Sequence, residues 1–142
     1  MEYKDAISML FERSGATQTF WNFHFTIILA LIAFFASISP NPKLTLLKYF
    51  VIVAFLAFAI INLRALVDTT DQRIRMMRLA DALATEPGDK AAQAILGSSL
   101  SPPQIWEVCL AHALADATTI AAIWMLVAKK QREASEKQSW VA

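Results

Sequence analysis

The sequence predicts an all-α integral membrane protein: three transmembrane helices, arranged as a hairpin plus a third, buried helix, with a partly helical extramembrane segment between helices 2 and 3. Three observations lead there. The chain is 56% hydrophobic and only 18% charged, which leaves too little polar surface for a soluble domain of 142 residues. It holds three apolar stretches near the roughly 20 residues a helix needs to cross hydrocarbon. Only three glycines interrupt it, so nothing suggests strands and turns.

The elements follow in chain order within one membrane domain, 1–142. Residues 1–17 read as a short interfacial helix, with Tyr3, Ala6, Ile7, Leu10 and Phe11 along one side. The acidic start, Met-Glu-Tyr-Lys-Asp, lacks the positive charge of a signal peptide, so the first apolar run is read as a retained anchor. The first span covers 20–38 and ends at Ser39-Pro40-Asn41-Pro42. The second covers 44–66, with Lys48 and Arg64 near its ends, where long side chains snorkel. So short a connection makes the two an antiparallel hairpin. No breaker follows the second span, so its helix is free to continue to about residue 85, where Glu86-Pro87-Gly88-Asp89 stops it. Segment 67–101 lies outside the membrane and contains an Asp71–Arg75 pair at i,i+4 and a short helix from Lys90 to Leu96.

The third span covers 105–128. Ser101-Pro102-Pro103-Gln104 reads as its start, with serine as N-cap and proline at the first helical position. It is the least hydrophobic of the three and holds Glu107, His112, Asp116, Thr118 and Thr119. A central aspartate opposes insertion by about 2.5–3.5 kcal/mol, so this helix needs neighbours. Ala111, Ala115, Ala117 and Ala121 give small-xxx-small spacing for close helix packing. Residues 129–142 read as a polar, frayed tail.

Orientation is nearly balanced. Lys4, Arg13, Arg64, Arg73, Arg75, Arg78 and Lys90 face one side. Lys43, Lys48, Lys129, Lys130, Arg132 and Lys137 face the other. The Lys129-Lys130-Gln131-Arg132 run tilts the reading toward a cytoplasmic C-terminus.

Ionisable residues inside a membrane are functional candidates by default. His112 and Asp116 lie four apart on one helical face. At about 1.5 Å per residue, His24, Asn62, Arg64 and Glu107 fall at similar depth, which predicts a polar cluster of these six residues in one leaflet. His24 is its weakest member: it shares a face with Ile28, Leu31 and Phe35, whereas Asn22, Thr26, Ala30, Ala33 and Ser37 look like the inward face. The pair has two readings: a structural hydrogen bond, or a site for transport, sensing or metal binding. Two residues on one helix supply two ligands, and zinc takes three or four. No metal and no cofactor is therefore assigned; a metal would need His24 or a symmetry-related copy.

No nucleotide loop, metalloprotease motif or nucleophile elbow is present, and no catalytic residue or small-molecule substrate is evident. A net charge of +1 gives no nucleic-acid footprint. One cysteine, Cys109, excludes an internal disulfide. The expected partner is the lipid bilayer of a bacterial inner (cell) membrane, crossed several times. Three helices enclose little interior, so the third is expected to meet other subunits. Two functions follow: a homo-oligomer with a polar axis that passes ions or protons or perturbs the membrane, or a non-catalytic accessory subunit of a larger membrane complex.

Overall fold

The computed structural model describes residues 2–39 and 43–139. Among the described residues the fold is all-helical, with four helices: α1 (Tyr3–Ser37), α2 (Leu44–Leu83), α3 (Pro87–Leu100) and α4 (Ile105–Ser139). Three of them, α1, α2 and α4, are long and apolar enough to cross a membrane. The expected turn at Pro40-Asn41-Pro42 and the end of the tail, 140–142, lie outside the described residues.

The N-terminal segment is not a separate interfacial helix: it forms the first turns of the 35-residue α1. The reason is a shared phase. Ala6, Leu10 and Thr17 are buried, and so are His24, Ile28 and Phe35, with Arg13 and Leu31 half-buried between them. Steps of three, four or seven residues connect all eight positions, the spacing of a coiled-coil seam. One helix satisfies the whole series. The same steps run down α2 through Leu44, Lys48, Phe55, Ala59, Asn62, Leu66, Thr69 and Arg73.

Two compact units divide the chain. The first holds residues 1–22 and 62–110. Here the Tyr3 hydroxyl donates to Gln93 Oε1 at 3.4 Å, and Gln93 Nε2 reaches Met77 Sδ at 3.4 Å, so α1, α3 and α2 share one side-chain chain. α3 is longer than the predicted 90–96. Pro87 sits at its first turn, where a missing N–H costs nothing, and Gly97 is helical. It ends at Leu100 because Ser101, preceding proline, is held extended at ψ 118°. Arg73 is buried and donates to the Leu100 carbonyl at 3.3 Å. A cation there satisfies a last-turn acceptor of α3 and opposes its dipole. Arg75 pairs with Asp71 at 2.8 Å, and Arg78 is exposed.

The second unit holds residues 23–61 and 111–142, and so the membrane portions of α1, α2 and α4. Phe35, Leu44, Ile123 and Val127 form its core, with Leu31, Ile38, Leu47 and Ile52 packed around them. Its outer surface is apolar: Leu46 is 74% exposed and Phe50 73%. Water rejects such a surface, and hydrocarbon suits it. Lys48 does not snorkel. It is buried, with Nζ 3.5 Å from the centre of the Trp124 ring. Nor is the segment after 128 frayed: α4 continues, Lys130 donates to the Ile38 carbonyl just past α1, and Gln131 donates to Thr45 at 2.6 Å.

Tyr3 offers a pH test of the first unit. Burial, reinforced by the nearby Asp89 charge, raises its phenol above the ordinary value of 10.0. The neutral phenol is therefore favoured in the folded unit. Its contribution is complete below pH 10 and declines as pH rises from there through the folded value. In a Tyr49→Phe background, which leaves Tyr3 as the lone tyrosine, Asp89→Asn is expected to move the absorbance titration to lower pH. An unchanged titration would remove Asp89 as a cause.

Candidate functional site

The second unit has a polar interior built from three side chains. α1 contributes His24, and α4 contributes His112 and Asp116, one turn apart. His24 is 0% exposed, His112 1%, and the Asp116 side chain 15%. Asp116 Oδ2 and His112 Nδ1 share a hydrogen bond of 2.8 Å. Asp116 Oδ1 lies 3.1 Å from His24 Nε2, an ion-pair distance. The carboxylate thus meets a different imidazole with each oxygen. One donor atom from each of the three residues falls within 4.8 Å of the others.

Aromatic rings fix the geometry. The His24 and His112 rings lie 4.1 Å apart at 33°. On α2, Phe58 stacks on His24 at 5.9 Å and 15°, and Phe55 at 6.2 Å and 26°. Phe23 meets Phe58 edge-on at 5.5 Å. His24 is therefore clamped by packing against the aromatic rings of α2. Burying ions in hydrocarbon is expensive, and mutual contact among polar groups offsets part of that cost.

The structure brings together three of the six residues expected in the cluster. His24, expected as the weakest member of the cluster, is in it, and the inward face of α1 is the reverse of the expected one: His24, Ile28 and Phe35 are buried, while Asn22, Thr26, Ala30, Ala33 and Ser37 are exposed. Lipid tolerates small hydroxyl residues because they bond their own helix, as Ser37 does by donating to the Phe34 carbonyl at 3.0 Å. Asn62 is buried in the first unit. Arg64 and Glu107 belong to that unit too, both exposed, and no ion pair joins them among the described residues. Glu107 has another role. Its carboxylate accepts the Gln104 backbone N–H at 2.8 Å, which makes Gln104 the N-cap and Glu107 the reciprocal acceptor of α4. Ser101 cannot serve as the N-cap, because Pro102 and Pro103 keep the chain extended up to Gln104.

Of the alanines, Ala115 is half-buried, while Ala111, Ala117 and Ala121 are exposed. The inward side of α4 is Val108, His112, Thr119, Ile123 and Val127. The aromatic clamp on His24, Phe55 and Phe58, was not anticipated. Its signal lies in the heptad spacing of Phe55 from Lys48 and its four-residue step to Ala59.

A double-mutant cycle measures the carboxylate's role. His24→Leu on α1 and Asp116→Leu on α4 are expected to couple by about 0.6 kcal/mol, and by no more than about 1.7, as polar contacts between membrane helices do. Unfolding in graded detergent mixtures gives the four values, and additivity would mean the pair is not held in the bilayer. Comparison with protein-family models, with curated proteins and with solved structures finds no match to this chain.

Proposed function

We propose that this chain is a non-catalytic protein of a bacterial inner membrane. It forms a homo-oligomer, and His24, His112 and Asp116 serve as its intramembrane cation site, on a path for ions or in an assembly that perturbs the bilayer. The supporting observation is two fully buried imidazoles converging on one carboxylate within the membrane portion of the chain. Three apolar residues would fill that space more cheaply, so a polar centre there argues for a use. Self-association is supported by the exposed Ala111, Ala117 and Ala121, which let another helix approach closely. Helical spans suit an inner membrane, whereas outer-membrane proteins are built as barrels.

An accessory subunit of a larger complex is the second reading. It is favoured by the first unit, which leaves Ile95 of α3 68% exposed and has a groove lined by Met77, Arg78, Asp81, Lys90 and Gln93.

Flux separates the two. In liposomes, the wild-type protein is expected to pass cations, and Asp116→Asn to abolish that flux while the oligomer keeps its native mass. A wild-type protein that passes nothing, and that loses a co-purifying polypeptide when α3 is altered, would favour the accessory reading instead.

A further inference from the structure

We infer that His24 Nε2, His112 Nδ1 and the Asp116 carboxylate form a binding site for a divalent first-row transition metal ion. This deepens the reading of the centre as a cation site, and names the class of cation.

The donor set selects the ion. Alkali, magnesium and calcium ions prefer all-oxygen ligands, and imidazole is a poor substitute. Two imidazoles and one carboxylate suit zinc, iron, cobalt, nickel or copper. The count also fits. Three protein ligands and one position left for water or a transferred ligand is the pattern of exchangeable zinc sites, whereas four protein ligands make a closed structural one.

Distances point the same way. With metal–ligand bonds of about 2.0–2.1 Å, adjacent ligands of a tetrahedral ion lie about 3.3 Å apart. The nitrogen–oxygen separations are 3.1 Å for His24 and 2.8 Å for His112. These two contacts would widen by a few tenths of an ångström around an ion, and all three donor atoms already lie within 4.8 Å of one another. Each imidazole would bind as the neutral tautomer, with its proton on the ring nitrogen away from the ion, and Asp116 as the carboxylate.

Orientation is already set. Phe58 and Phe55 hold the His24 ring by stacking, and the helical turn between His112 and Asp116 fixes their spacing. Supporting shells of this kind determine affinity as much as the ligands do. The ligands come from two helices, α1 and α4, so the bound ion also cross-links them.

The test uses full-length protein in mild detergent, stripped with a chelator and titrated with Zn2+ against a chromophoric competitor. One Zn2+ per chain is expected, with a saturable rise in thermal stability of the wild type. His24→Ala, His112→Ala and Asp116→Asn are each expected to weaken binding by more than about 100-fold, beyond the roughly 10–100-fold for losing a supporting residue. Glu107→Gln, outside the site, is expected to bind as the wild type does. Should the substituted proteins fail to fold, Co2+ in the wild type decides: a visible spectrum of mixed nitrogen–oxygen tetrahedral ligation supports the site, and an octahedral aqua-like spectrum overturns it. Zinc that still binds after His24→Ala and Asp116→Asn sits elsewhere and also overturns it. Binding is measured without any flux, so the two readings fail separately. Flux without stoichiometric zinc binding removes the metal site and leaves a cation path; zinc binding without flux removes the path and leaves the metal site.

Discussion

A carboxylate placed among membrane helices has to be answered by other side chains, and the answer given to Asp116 organises the second unit. One oxygen meets a ring from its own helix, the other a ring from α1. That double contact fixes the rotation of α4 against α1. It also demands that α2 present rings at the same level, and Phe55 and Phe58 do so. Apolar packing alone is a poor guide to rotation in lipid, because tails and leucines are equally apolar. The polar contact supplies the missing discrimination. Farther along the unit, Lys48 over Trp124 and Lys130 on the Ile38 carbonyl repeat the device with opposite charge.

The spans were legible because length and apolarity are properties of the chain itself. So was the i,i+4 approach of His112 to Asp116, since a helix brings those positions together whatever surrounds it. The partner from α1 was harder. Small polar residues such as Thr26 and Ser37 suggest an inward face when water is the reference solvent, and here they are exposed. A better signal was present: the steps joining Ala6, Leu10, Arg13 and Thr17 lead directly to His24 and Ile28. Treating 1–17 as a separate element concealed that continuity.

Depth arguments have a related weakness. Counting residues from a helix end sets height and says nothing about azimuth, so Arg64 and Glu107 were grouped with residues they do not join. Glu107 illustrates how local chemistry takes over. At the third position of a helix, a glutamate satisfies an orphan N–H nearby more readily than it reaches a distant cation. Arg73 is the counterpart outside the spans. Its pattern looked like a solvated face, yet a long side chain able to reach a helix end was drawn to the Leu100 carbonyl, and burial lowers the pKa of its guanidinium.

The ring stack around His24 has a kinetic meaning. An imidazole packed against both the Phe58 ring and the His112 ring cannot turn over about its own axis unless those neighbours move apart. The nitrogen facing Asp116 is therefore the same nitrogen for as long as the helices stay packed. The Asp116 carboxylate, which meets both imidazoles at once, adjusts through its own side-chain torsions, while ring reversal waits on the slower breathing of the helices.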